Sequence, residues 1–477
     1  MYYASQTDCA MKKIDRRKFM TTAAAAASFM IIPRHVLGGK GFTAPSDKVN
    51  VGLVGAGGKG KENVRDLFKL DDVQVTCLAD PAEYWDLNRF YYKTIAGLGP
   101  VSDMVENYYK EKSGYSKVNR YIDFREMLSK ETSLDAVLCA TPDHLHAYVS
   151  MLSMQAGKHV YCEKPLTHNI HEAREVSKMA KKTGLATQMG NQLHSTPAIR
   201  NAVEYLRSGV IGKVKEVHSW VPATRWTNSL KEMPTAASPM PKGLNWDLWV
   251  GPRSNRPFNE LYAPVTWRDF WEFGLGALGD FGCHDLDAAT WGLELGLPAK
   301  IQVHPAGFSN ADIIPYGEIG YFSFPDGNNG NEFIEVTWYS GGLYPKKPKQ
   351  LPSDIVFSRR GAMYVGEKGV MVTGNGDTPK VFSDKTLVKS VEPTFKLPPT
   401  EGHHRDWINA IKGGPAASSN FEYGAHLTEI TLLGVLSLRL GGALIEWDAK
   451  NMKAVGLPKA DEYIRESERK GWELPKG

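Results

Sequence analysis

From residue 48 onward, short runs of β-branched and apolar residues alternate with stretches of helical period. The runs fall at residues 49–54, 73–79, 136–140 and 159–162, and helical patterns open near Gly58, Ala82, Phe124 and His144. Strands that alternate with helices predict βαβ units and a parallel, doubly wound sheet. Residues 103–120, polar and rich in Tyr and Lys, read as a surface excursion inside this domain. Beyond Pro165 the pattern adds a helix over residues 171–182 and a strand over 186–189, and then changes character. Longer strand-like runs at 215–221, 300–305, 319–324 and 333–338 come with turn signals, notably Asp326 followed by Gly327-Asn328-Asn329-Gly330. These predict a large, mostly antiparallel open sheet. The expected fold is therefore α/β, with a parallel-sheet domain over residues 45–166 and an α+β domain over 167–477. Residues 226–264, rich in Pro, Asn and Trp and weak in periodicity, read as a long functional loop.

Residues 1–38 stand outside that pattern. Arg16 and Arg17 precede Phe19 and an alanine-rich apolar stretch that ends at Pro33, a charged segment followed by an apolar one too short to span a bilayer. Paired arginines before a Phe resemble a twin-arginine signal, read by the Tat translocase that exports folded proteins. Met11-Lys12-Lys13 reads as an alternative start. The expected location is the periplasm, with a membrane anchor if the segment is retained.

The net charge of +4 also originates there. Lys and Arg total 57 against 53 Asp and Glu, and removing the six basic and two acidic residues of 1–38 leaves 51 of each sign. A neutral body without a basic cluster sets nucleic acid aside as a partner. Cys9 lies in the leader, and Cys77, Cys139 and Cys162 fall in strand-like runs; with Cys283, none has C-x-x-C spacing. Buried free thiols are expected, without a disulfide framework.

The chemistry begins where the first strand ends. Gly55-Ala56-Gly57-Gly58-Lys59-Gly60 follows Val54 and opens a helix. In a dinucleotide cradle of the Rossmann type, Gly55 allows the tight turn, Gly57 admits the pyrophosphate and Gly60 lets the helix pack on the strand. Gly58 belongs to the same cradle, and the helix N-terminus faces the phosphates. Asp80 ends the second strand, placed to accept from both ribose hydroxyls; a 2'-phosphate there meets a like charge, which favours NAD over NADP.

Two further clusters lie just after strands, on the carboxyl edge where ligands bind: Thr141-Pro142-Asp143-His144-Leu145-His146 and Glu163-Lys164-Pro165. Asp280 and His284, at i and i+4, share a helix face and together suit a general base for an alcohol proton. The same pair reads equally as an N-capping Asp and a core His. Trp246, Trp249, Tyr262, Trp267, Arg268 and Trp271 flank it; aromatic faces suit a sugar ring, and they suit a hydrophobic core as well. His194, His403 and His404 have no ligand partners at useful spacing, so no metal is expected.

In combination these motifs resemble the Gfo/Idh/MocA oxidoreductase family from about residue 48 to the C-terminus. Glu163-Lys164-Pro165 and the Asp280 to His284 element are the most specific parts. The resemblance implies that Lys164 holds the reacting hydroxyl, His284 is the catalytic base and Asp280 assists it. It implies cofactor contacts from Thr141, Pro142, His146 and Glu163, and a substrate face that includes Trp267, Arg268 and Tyr262. It also implies that the second sheet carries the substrate and an interface between copies, making a homo-oligomer. The expected function is a periplasmic NAD-dependent oxidoreductase acting on a secondary hydroxyl of a sugar or glycoside. Outside the cytoplasm there is no free NAD pool, so the cofactor would leave with the folded chain, stay bound and be recycled within it. Two alternatives stand beside this. One is a redox-neutral, NAD-dependent glycoside hydrolase working by oxidation, elimination and hydration, against which the retained Glu163-Lys164-Pro165 weighs. The other is a non-catalytic sugar-binding protein, against which intact Lys164, Asp280 and His284 weigh.

Overall fold

The strand Val49–Val54 (β1) is buried along nearly its whole length, as a central parallel strand covered on both faces must be. The computed structural model describes residues 47–113, 117–326, 332–374, 378–389 and 391–477. The leader expected in residues 1–38 and the turn at residues 327–330 lie outside the described residues. Beside β1, the first sheet contains Val73–Ala79 (β2), Asn119–Tyr121 (β3), Ala136–Cys139 (β4), His159–Cys162 (β5) and Thr187–Met189 (β6). All pairings are parallel, in the order β3-β2-β1-β4-β5-β6. The order reverses between β1 and β4, so the loops leaving their carboxyl ends diverge and open a crevice. The sheet takes in β6, beyond the boundary expected at residue 166.

Helix α1 (Gly58–Leu67) follows β1, α2 (His146–Gln155) follows β4 and α3 (Ile170–Thr183) follows β5. One stretch differs from expectation. No helix opens at Ala82; residues 82–97 form an excursion with a short ladder between Trp85–Asp86 and Ile95–Ala96, and the crossover helix is Leu98–Ser113. Its buried Val101, Val105 and Tyr109 recur at i+4 spacing, and Pro100 sits in the first turn, where a missing N–H is harmless. The excursion expected over 103–120 therefore lies earlier in the chain, and Asp103, Asn107, Lys110, Glu111 and Lys112 form the exposed side of this helix.

The second sheet has ten strands. Numbered along the chain they are Val214–Trp220 (β7), Lys300–Ala306 (β8), Gly317–Pro325 (β9), Phe333–Tyr339 (β10), Gly361–Gly366 (β11), Val370–Gly374 (β12), Lys380–Ser383 (β13), Thr386–Leu387 (β14), Ile445–Asp448 (β15) and Lys453–Ala454 (β16). Their order is β14-β13-β12-β11-β7-β10-β9-β8-β15-β16, and only β7 with β10 is parallel. The expected mostly antiparallel sheet is present, and β9 and β10 pair antiparallel on either side of residues 327–331.

On this sheet rest α4 (Gly276–Asp285) and the buried α6 (Phe421–Arg439), with α5 (His403–Ile411) between them in sequence. A Cβ on Gly282 would lie 2.4 Å from Thr431 Cγ2, so α4 approaches α6 as closely as backbone allows. That contact fixes the face carrying Asp280 and His284. No described helix is long and apolar enough to cross a membrane.

Candidate active site

A cavity of about 640 Å³ opens at the carboxyl ends of β1, β4 and β5. It is lined by Gly55, Gly57, Gly58, Asp80, Thr141, Pro142, His146, Glu163 and Lys164 on one side. Trp226, Trp267, Arg268, Asp280, His284 and Arg360 line the other. The expected cofactor residues thus meet the expected catalytic residues in one space, except Gly60, which lies behind the turn.

The glycine turn tests whether a dinucleotide fits. Gly55 has φ +93°, and a Cβ there would lie 2.6 Å from the Ala140 backbone; one on Gly60 would lie 2.0 Å from Gly55 O. Both positions demand glycine for the turn itself. A Cβ on Gly57, by contrast, meets nothing within 4 Å, which leaves room beside the backbone. Helix α1 begins there with no side-chain cap and no acidic residue in its first turn, so its amides are free for an anion. The cradle fits a pyrophosphate. Gly58 has another reason as well: a Cβ there would strike the Tyr92 ring at 2.4 Å.

Asp80 buttresses this turn. Its carboxylate accepts from Ala56 N–H at 2.6 Å and from Ala82 N–H at 2.8 Å. Burial pushes its pKa up to about 6, against those two hydrogen bonds. His146 sits between two turns: Nδ1 lies 2.6 Å from Pro165 O and Nε2 2.9 Å from Thr141 O, and the neutral ring donates its one N–H to one of these carbonyls. Its expected contact with the nicotinamide ribose would come through the ring face, since both nitrogens face backbone carbonyls. Cys139, Cys162 and His146 bring their ligand atoms within 4.8 Å of one another, and both imidazole nitrogens of that trio face backbone carbonyls.

Glu163 is held from behind. Asn63 Nδ2 and Gln192 Nε2 donate to its Oε1 at 2.9 and 2.7 Å, and Asn63 Oδ1 lies 2.9 Å from His404 Nε2. Oε2 is buried with no hydrogen-bond partner. His403 bonds Met189 O and Ser195, and His194 faces Asp287, so these histidines belong to buried networks outside the cavity.

The charged centre is compact. Lys164 Nζ donates to Asp280 O at 2.7 Å and to Asp280 Oδ1 at 2.5 Å, leaving one of its three protons for another acceptor. Burial alone would raise the Asp280 pKa; the charges of Lys164 and Arg268 outweigh it and hold the carboxyl well below its usual range. His284 lies one turn further along α4. Burial, reinforced by Lys164 and Arg360, drives its pKa well below the ordinary 6.5, so the ring is neutral at pH 7. Its Nδ1 is buried without a partner, and the residue lines the cavity. A permanent carboxylate, a cation with a spare proton and a neutral imidazole together can take a proton from a hydroxyl and stabilise the oxygen left behind.

The aromatic residues divide. Trp249 and Trp267 reach the cavity. Tyr262, expected at the substrate, packs instead among Trp246, Phe270 and Phe273, with its hydroxyl donating to Pro234 O at 3.4 Å. Trp246 and Trp271 are core as well. In Tyr262's place stand two aromatics that sequence reasoning passed over: Tyr91, from the 82–97 excursion, stacks on Trp226 with ring centroids 5.8 Å apart. Asp143 and Arg360 were also missed. Burial pushes the Asp143 carboxyl up to about 7, opposed by Arg268. Arg360 precedes β11 and forms a two-armed pair with Asp285 at 2.7 and 2.6 Å.

Comparison with known proteins adds the following. The GFO_IDH_MocA model, an oxidoreductase family with an NAD-binding Rossmann fold, matches residues 49–191, and the model of that family's C-terminal α/β domain matches residues 205–328. A levoglucosan dehydrogenase of Pseudarthrobacter phenanthrenivorans is 28% identical over 245 residues, 51% of this chain and 50% of that protein. A glycosyl hydrolase family 109 protein of Stenotrophomonas maltophilia is 25% identical over 204 residues, 43% of this chain and 41% of its own. The chain spans half or less of the length of these curated relatives. A crystal structure of the WlbA dehydrogenase of Bordetella pertussis, in complex with NADH and UDP-GlcNAcA, superposes with a TM-score of 0.56 at 16% identity. That match covers 84% of this chain and 98% of the other, and it shows a shared fold.

Proposed function

The chain belongs to the Gfo/Idh/MocA oxidoreductase family, and from that premise we propose that it oxidises a secondary hydroxyl of a sugar or glycoside with NAD held in the glycine cradle. The observation that carries this reading is the continuity of one cavity from the free amides of α1 to the Lys164, Asp280 and His284 centre. NAD, when bound, supplies the two-electron acceptor for the carbinol carbon. Lys164 directs its third N–H at the substrate oxygen as a hydrogen-bond donor and opposes the negative charge that grows there. Neutral His284 accepts the hydroxyl proton. Asp280 orients Lys164, and its own carboxylate stays ionised throughout. Trp226, exposed at the cavity beside Tyr91, offers an apolar face to the C–H side of the ring.

The arginine pair and apolar stretch of residues 16–33 support a periplasmic protein, exported folded by the twin-arginine route. NAD then travels with the chain and is recycled between two sugar substrates. Protein purified from its native compartment should release close to one NAD per chain on denaturation, read by mass spectrometry; an empty protein would refute the trapped cofactor.

A second reading, redox-neutral glycoside cleavage, draws on Asp143. A buried carboxyl that titrates near neutrality can donate a proton to a departing aglycone. Release of aglycone without net formation of reduced nicotinamide would favour it.

A further inference from the structure

Besides Lys59 in the glycine turn, four cations line the cavity, and three of them are hydrogen-bonded. Arg225 donates to the carbonyl oxygens of Thr227, Asn228, Phe308 and Ile314. Lys164 bonds Asp280, and Arg360 bonds Asp285 through Nε and Nη2. Arg268 is different. Its nearest carboxylate oxygen, Asp280 Oδ2, lies 3.6 Å from Nε, too far for a hydrogen bond. Its Nη nitrogens find no acceptor among the described residues. Yet the side chain is only 18% exposed, and its guanidinium lies over the Trp267 ring, 4.0 Å from the centroid. Stacking holds the fork in place while its donors stay unused.

The charges show the same imbalance. Lys164 and Arg268 share a single carboxylate, Asp280. Asp143, the other acid near Arg268, is pushed toward the neutral form by burial. A fixed guanidinium fork beside the reacting centre, with one anion too few around it, matches a planar or tetrahedral oxyanion that can take two parallel N–H donors.

We propose that Arg268 receives an oxyanion substituent of the sugar, so that the substrate class is a sugar bearing a carboxylate or phosphate rather than a neutral sugar. This rests on the sugar-oxidoreductase reading above and narrows it. The oxyanion docks on the Nη side of Arg268, which leaves Lys164 and His284 for the hydroxyl.

The test uses the cofactor-loaded protein and the fluorescence of the cavity tryptophans. Glucose, glucuronate and glucose 6-phosphate are titrated separately, and the two charged sugars distinguish a carboxylate from a phosphate. Glucuronate or glucose 6-phosphate should bind about tenfold or more tighter than glucose, as expected for a charge-assisted pair. Arg268→Gln should erase that preference, and Arg268→Lys should restore part of it, with NAD content measured in each to show that the fold persists. Equal affinity for glucose in the wild type, or no binding of either charged sugar, would overturn the proposal. Whether any bound sugar reduces the nicotinamide is scored separately by absorbance, so the oxidoreductase reading can fail while the preference holds, and the reverse.

Discussion

The cradle wall of the cavity comes from one continuous turn and the ends of neighbouring strands, whereas the facing wall takes side chains from segments near residues 91, 226, 268, 280 and 360. On the cradle side the backbone does the work: Gly55 and Gly60 tolerate no Cβ, Asp80 holds two amides and His146 sits between two turns. On the facing side the work belongs to side-chain tips, set by the packing of α4 on α6 and by loops. A cofactor shared by many proteins is held by constraints on backbone, while a particular substrate is met by side chains that loops can exchange freely. Specificity should therefore respond to mutation on the facing wall, and cofactor retention on the cradle wall.

The sharpest way to break that division is Lys164→Ala. Lys164 sits where the walls meet, and turnover should fall about a thousandfold or more while released NAD stays at the wild-type level. Loss of NAD along with turnover would mean that the residue serves the cradle. Next, Gly60→Ala forces a Cβ to within 2.0 Å of Gly55 O. Overpacking of this kind costs about 1–3 kcal/mol, and the purified variant should lose most of its NAD and show a lower Tm. On the facing wall, Trp226→Ala should raise KM about fivefold, near 1 kcal/mol of lost aromatic contact, with NAD content unchanged.

A smaller effect concerns pH. With His284 in the proposed role of neutral base, activity should fall as pH drops through its pKa; burial and the nearby cations lower that pKa, which puts this limb below pH 6.5. Arg360→Gln removes one of those cations, lets the imidazolium form more easily and should move the acid limb upward by about one pH unit. A profile that stays in place, or moves down, would remove His284 from the role of base. Smallest of all, Tyr262→Phe deletes a hydroxyl that makes a long bond to Pro234 O and a contact with Arg256 away from the cavity, and stability and KM should change by no more than about 0.5 kcal/mol.

The same contrast explains what the sequence could reveal. The cradle was legible because a tight turn, a close helix approach and a strand-end acid each restrict residue type at fixed spacing. Lys164, Asp280 and His284 were legible as motif members, and the structure brings them together on one face. Tyr262 and Arg268 come from one aromatic-rich stretch, yet only Arg268 faces the cavity; nothing in their spacing tells core from wall. Asp143 sat inside a motif already singled out, and its place directly after the Thr141-Pro142 turn was the available signal. Two adjacent tyrosines, Tyr91 and Tyr92, in an aromatic-rich stretch without helical period gave a weaker one. Arg360 gave none, because its position depends on β11 pairing with β7, a contact between residues far apart in the chain. The helix Leu98–Ser113 was hidden by Pro100 and by an exposed polar face, although Val101, Val105 and Tyr109 carried the correct spacing.

The most direct measurement is a single-turnover experiment on the NAD-loaded protein, mixed rapidly with a panel of neutral and acidic sugars while the absorbance of reduced nicotinamide is followed. The account predicts a rise approaching one equivalent per site with at least one sugar in the wild type, and no rise in a Lys164→Ala protein that still carries its NAD. Sugars that bind, seen by tryptophan fluorescence, but never reduce the cofactor in the wild type would contradict the account and leave a sugar-binding protein in its place.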